Sequence, residues 1–247
     1  MRTDIITPEN SKAVLTSRVT HMLFKNSSIY VLAKVVPGVM AFMALSIYTH
    51  LLTPQEYGTY TLIFSAALFL HSALFNWLPV GIMRFWPGGT YSDNAFISTL
   101  GVLYLRLFIL VVVVGLLIFW VLGENYSTQI ASGFLLLLGF TVLTIGQQLL
   151  SAQVLPERYA LMTICYALLA LAFGSGLAYL GYGPISVVLG VALGMLIPSI
   201  FISAKNWKLF DKSLYTPELT QKLLIYGAPL AASFFLDEIA NLSDRYM

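Results

Sequence analysis

The sequence predicts an all-α polytopic membrane protein, on three observations. Charged residues make up 10 % of the 247 residues, where a soluble domain carries about 25 %. Hydrophobic residues reach 58 %, with a mean hydropathy of +0.83. These apolar residues are gathered into runs at 28–52, 60–83, 98–122, 130–151, 159–180, 184–204 and 224–247, each close to the ~20 residues a helix needs to cross a bilayer. The composition excludes a soluble domain, a disordered chain and a disulfide scaffold, since Cys165 is the single cysteine. A net charge of +2 is too small for a nucleic-acid-binding surface.

The elements follow in order. Residues 1–27 carry Thr7-Pro8, a helix-opening pair, and then Val14, Leu15, Val19, Met22 and Leu23 on one helical face, with Lys12, Arg18 and Lys25 nearby. That pattern predicts a helix lying on the membrane surface. No apolar stretch with a small-residue cleavage site is present there, so no cleaved leader is expected. Residues 28–204 hold six spans joined by short gaps, which makes neighbours antiparallel. Thr53-Pro54-Gln55-Glu56 reads as a capping box with proline at the first helical position. Breaks are expected at Pro37-Gly38, Pro79-Val80-Gly81, Pro198 and Pro229. Gly190 with Gly194, and Gly174 with Gly176, predict close packing of the fifth and sixth spans. Residues 205–223, with four lysines and Trp207, Phe210, Leu214 and Tyr215, read as a linker, in which Thr216-Pro217 caps a further interfacial helix. The seventh span, 224–247, ends the sequence at Asp244-Arg245-Tyr246-Met247 with no hydrophilic tail, which leads to the expectation that the chain is about half of a transporter.

Basic residues set the expected orientation. With the N-terminus cytoplasmic, Arg2, Lys12, Arg18, Lys25, Arg84, Arg158, Lys205, Lys208, Lys212 and Lys222 all flank cytoplasmic span ends. The connections at 53–59, 123–129 and 181–183 carry no Lys or Arg.

Ionisable groups within the spans are the candidate functional residues, because one facing lipid costs about 2.5–3.5 kcal/mol on the insertion scale. Lys34 and Arg106 lie within reach of the cytoplasmic head groups by snorkelling, and Arg84 ends the second span. Asp237 and Glu238 are about 21 Å along a seventh helix that starts near Leu223. Ser233, Asp237, Asn241 and Asp244, with Arg245 beside them, give that helix a continuous polar face, which must line a hydrated cavity or meet other helices. The second span shows Ser65, Ser72 and Asn76, and the fourth Thr141, Thr144, Gln148 and Ser151. His71 reads as a hydrogen-bonded interior residue. No metal-ligand spacing, phosphate-binding loop or nucleophile elbow is present, and no cofactor is expected.

Three stretches resemble oligosaccharide flippases of the polysaccharide transporter family, within the multidrug/oligosaccharidyl-lipid/polysaccharide exporter superfamily. They are Leu51-Leu52-Thr53-Pro54-Gln55-Glu56-Tyr57-Gly58-Thr59-Tyr60, the ending Gly81-Ile82-Met83-Arg84-Phe85, and Tyr226-Gly227-Ala228-Pro229-Leu230 followed by Asp244-Arg245. The resemblance implies the six-helix N-terminal lobe of a two-lobed transporter plus the first helix of a second lobe. It implies carriage of an undecaprenyl-pyrophosphate-linked oligosaccharide across the bacterial inner membrane, for O-antigen (lipopolysaccharide), capsule or exopolysaccharide. Partners would be membrane lipids, the polysaccharide polymerase machinery, and a second chain or missing C-terminal half. On that reading Lys34, Arg84, Arg106 and Arg245 bind the pyrophosphate, while Asp237, Glu238, Asn241 and Asp244 line the cavity or couple transport to protons. A multidrug cation antiporter needs a carboxylate within the first six spans, which hold none. A membrane glycosyl- or phosphotransferase needs a carboxylate or histidine cluster at a membrane face, so the chain is read as a carrier and not an enzyme. An inactive transporter remnant is the remaining alternative.

Overall fold

The computed structural model describes residues 8–86, 89–122 and 126–243, with side chains between Ser27 and Ala240 except at 118, 121 and 122. Among these residues no strand is present, and seven helical stretches are long and apolar enough to cross a membrane. The protein is an all-α, multi-pass membrane protein. Its helices are α1 (Pro8–Leu51), α2 (Pro54–Phe75), α3 (Trp77–Phe85), α4 (Asp93–Leu122), α5 (Ser127–Ala152), α6 (Pro156–Tyr179), α7 (Pro184–Trp207) and α8 (Pro217–Ser243).

Most helices reach beyond the apolar runs because their first turns are polar. Proline is the first residue of α1, α2, α6, α7 and α8, a position where its missing N–H costs nothing and its fixed φ is already helical. The Thr53 capping box forms as expected: Thr53 Oγ1 accepts from the Glu56 N–H at 3.3 Å, and Glu56 Oε2 accepts from the Thr53 N–H at 2.9 Å.

Three boundaries differ from the sequence expectation, and α1, α7 and α8 continue as helix through Pro37, Pro198 and Pro229, where breaks were expected. First, α1 is one helix of 44 residues, about 66 Å long, with no division between a surface helix and the first span. Neither proline nor glycine falls between Pro8 and Pro37, so nothing interrupts the hydrogen-bond ladder. Second, α8 starts at Pro217 and runs directly into the last span. No separate interfacial helix forms there, and the linker contracts to residues 208–216.

Third, the break in the second crossing falls at Asn76, one turn before Pro79. A proline ring collides with the carbonyl four residues earlier, here that of Phe75, the last residue of α2. The Asn76 N–H reaches back to the His71 carbonyl at 3.1 Å, and the Trp77 indole N–H donates to the Leu74 carbonyl at 2.8 Å. The broken turn is thereby supplied with partners that a bilayer does not offer.

The helices form two packed groups that share α5. Leu136, Phe140, Leu143 and Leu150 of α5 join Tyr48, Ile63, Met162, Val187 and Val191. Leu137, Ile145 and Leu149 join Phe75, Leu78, Ile82, Leu100, Leu219 and Leu223. Helix association in lipid depends on close van der Waals packing rather than on expulsion of water, and α6 and α7 make the most extensive contact in the fold. A Cβ at Gly190 would strike the backbone of Gly174, and one at Gly194 that of Ala170. The glycine pair therefore sets the spacing of these two helices, while Gly176 faces open space.

Sequence neighbours α1 and α2 are not a packed hairpin. They meet at the end where they are joined, through Tyr48 and Tyr60, whose rings lie edge to face at 5.6 Å. From there they diverge: α1 follows α6, and α2 follows α5 and α8. The gap between them positions the site.

Candidate functional site

The divergence of α1 and α2 opens a cleft in two connected parts. The first is a cavity of about 500 Å³ whose lining includes Lys34, His71, Ser72, Asn76, Thr144, Gln147, Tyr159, Thr163, Tyr166 and Glu238. The second, of about 410 Å³, lies toward the α1–α2 junction among Met40, Ala41, Ala44, Leu45, Tyr48, Tyr57, Tyr60, Phe64 and Leu68. Pro37, Leu68, Tyr166, Met195 and Glu238 border both.

Helix geometry fixes the levels. Lys34 is 14 residues before Tyr48 and Ser72 is 12 after Tyr60, so both are roughly 20 Å from the junction. They face each other across the cleft at one height. Phe235 of α8 packs on Phe69 of α2 at 5.7 Å, and Glu238 follows within one turn, nearer the junction. Because α8 begins at Pro217, Asp237 and Glu238 are about 30 Å from its start, farther than the seventh span predicted. Glu238 is half-buried and reaches the cleft, whereas Asp237 is exposed and borders neither part.

The polar lining is partly tied together. Gln147 donates its amide N–H to Thr163 Oγ1 at 2.9 Å, and that hydroxyl donates to the Tyr159 carbonyl at 2.8 Å. His71 is 4 % exposed, lies 3.2 Å from Thr141 Oγ1 and stacks on Phe140 at 5.7 Å. Lys34 and Glu238 are the charged groups of the lining and have no ion-pair partner among the described residues. The chamber therefore offers one ammonium, one carboxylate and a set of hydroxyl and amide groups inside an apolar helix bundle. Such a set is suited to binding a polar ligand by hydrogen bonds.

Arg84 and Arg106, nominated from sequence, sit elsewhere, as does Lys222. Arg106 donates to the Tyr215 hydroxyl at 3.1 Å, with its guanidinium carbon 4.9 Å from the ring centroid. Arg84 lies over the Tyr226 ring at 5.8 Å. Lys222 lies over Tyr91 at 5.5 Å and pairs with Glu218 at 2.9 Å. All three tie the linker or the start of α8 to α3, α4 or the segment between them. The linker is held further by buried hydroxyls of α4: the Asp211 N–H donates to Ser98 Oγ at 2.9 Å, and the Thr216 N–H to Thr99 Oγ1 at 3.0 Å. Hydrogen bonds from the Ser213 hydroxyl and N–H hold the Asp211 carboxyl below its ordinary pKa. A hydrogen bond with Thr220, with the Arg106 guanidinium as a further contributor, lowers that of Tyr215.

Of the residues nominated from sequence, the structure thus brings Lys34 and Glu238 into one cavity and leaves Arg84, Arg106 and Asp237 outside it. The side chain of Asn241, and Asp244 and Arg245, lie outside the described part. Sequence reasoning passed over Gln147, Tyr159, Thr163 and Tyr166. Their signal was present in α6, where Tyr159, Thr163 and Tyr166 recur at i, i+4 and i+7 on one helix face. Compared with known proteins, the chain matches no family model, no curated protein and no solved structure.

Proposed function

We propose that this protein carries a lipid-linked oligosaccharide, with undecaprenyl pyrophosphate as the anchor, across the bacterial inner membrane for polysaccharide assembly. The observation that carries the reading is the chamber itself: Lys34 lines the same cavity as Asn76, Gln147, Ser72 and Thr144, within helices that are otherwise apolar. An anionic headgroup favours the ammonium, and a glycan favours the amides and hydroxyls. The basic span ends support a cytoplasmic N-terminus, and the three flippase-like motifs agree with the carrier role. Arg84 and Arg106, engaged by tyrosines, serve in this reading to hold the linker and not the cargo. A second lobe, supplied by another chain or segment, would close the open side of the cleft, and a polysaccharide polymerase would receive the cargo.

The test is transfer of a fluorescent lipid-linked oligosaccharide between leaflets of liposomes holding the protein. Wild type is expected to support transfer and Lys34→Gln to abolish it with normal insertion. Transfer that is independent of Lys34, or absent in wild type, removes the reading.

Glu238 favours a second reading. A carboxylate at one end of a cavity lined by Tyr48, Tyr57, Tyr60 and Phe64 is also the chemistry of a site for a lipophilic cation, a group the first six spans do not supply. Proton-driven efflux of ethidium, lost in Glu238→Gln and kept in Lys34→Gln, would select this antiporter over the flippase.

A further inference from the structure

The part of the cleft nearer the α1–α2 junction differs in chemistry from the chamber that holds Lys34. On α1, Met40, Ala41, Ala44 and Leu45 line it; on α2, Phe64, Leu68 and Phe69 do, with the hydroxyls of Thr61 and Ser65 between them. Ala41 and Ala44 leave a trough where larger side chains would fill the gap between the helices. It runs from Pro37 to Tyr48, 11 residues and about 17 Å along α1. Tyr48 and Tyr60 close its far end by edge-to-face contact. Its near end opens into the polar chamber past Leu68, Tyr166 and Glu238, which border both parts.

We propose that this trough binds the hydrocarbon chain of an anionic lipid whose phosphate-bearing headgroup lies at Lys34. A chain in the trough and a charged head in the chamber match the two parts of the cleft in order. Lys34 supplies the charge complementarity at the head end. A zwitterionic bilayer lipid resting in the gap would show little dependence on Lys34. The proposal rests on the reading of the chamber as the seat of an anionic headgroup, and adds the place where the rest of the molecule lies.

The probe is undecaprenyl phosphate carrying a photoactivatable diazirine on its chain, added to the purified protein in phosphatidylcholine nanodiscs. Crosslinks are expected on residues 40–45 and 64–68. Ala44→Trp, which fills the trough, is expected to weaken binding at least about fivefold, the low end of what overpacking costs. Lys34→Gln is expected to weaken binding of undecaprenyl phosphate and of short-chain geranyl phosphate alike. Ala41→Val serves the same purpose if the tryptophan variant does not fold, as judged by thermal unfolding. Crosslinks confined to other helices, equal affinity for the two chain lengths, or folded trough variants that bind as wild type would each overturn the proposal. Trough binding that persists while liposome transfer fails would count against the carrier reading alone.

Discussion

Arg106 shows how little a basic residue in an apolar run says about cargo until its neighbours are known. Its position in the third span made it a candidate ligand, yet its guanidinium ends on Tyr215 by both a hydrogen bond and a ring contact. A cation on an exposed aromatic face is worth about 0.5–1 kcal/mol, enough to position a linker and too little to hold a fold. Arg106→Ala is expected to lower the unfolding free energy in detergent by about that amount. Tyr215→Phe keeps the ring and loses the hydroxyl, so it should lose less. A larger loss in Tyr215→Phe than in Arg106→Ala would contradict this assignment. Lys34 is the contrasting residue, with no ion-pair partner among the described residues and a position on the chamber wall. Removing its charge is expected to leave stability unchanged or raised and to lower affinity for an anionic lipid, measured in the same nanodiscs.

At the scale of elements, breaks and glycines do different work. Pro79 separates α2 from α3 and leaves Asn76 at the break, on the wall of the chamber. Pro79→Ala is expected to restore the ladder through Phe75, make one helix of Pro54–Phe85 and weaken binding of undecaprenyl phosphate. A crystal structure of the variant with the break retained would assign the break to packing instead. Gly190 and Gly176 form a matched pair for a second test. Gly190→Ala places a methyl against the α6 backbone and is expected to cost about 1–3 kcal/mol in unfolding free energy. Gly176→Ala meets nothing within 4 Å and is expected to be neutral or slightly stabilising, since alanine is the better helix former.

For the whole molecule, the decisive feature is that α1 and α2 diverge. Their joined ends are pinned by Tyr48 and Tyr60, and the Tyr48 hydroxyl donates to the Ala170 carbonyl at 3.4 Å. This commits α1 to α6, while α2 is held by α5 and α8. The cleft exists because one connection joins two helices that lean on different neighbours beyond their joined ends. Bridging it with a reductively cleavable bis-maleimide between cysteines placed at Met40 and Phe64 is expected to block binding of undecaprenyl phosphate and to recover it on reduction. Binding unaffected by a bridge shown to have formed would place the lipid elsewhere.

Much of the architecture was legible in the chain because it depends on local rules. Apolar run length predicted seven crossings, and among the described residues seven helices are long and apolar enough to cross. The Thr53–Pro54 box and the Gly190–Gly194 spacing depend on residues a turn apart, and these elements formed where expected. Boundaries slipped where polar turns carry helix beyond the apolar run, as at Pro217, or where a proline acts on a carbonyl one turn earlier, as at Asn76. What was hidden is the grouping of polar side chains. Lys34, Gln147, Tyr159 and Glu238 come from α1, α5, α6 and α8, and none is near another in sequence. Which face a helix turns inward depends on where small residues allow it to approach its neighbours, and that is settled between helices. Run length and local caps therefore determine that this protein crosses the membrane and where its helices start. Packing alone decides that Lys34 and Glu238 share a cleft while Arg84 and Arg106 hold the start of α8 and the linker.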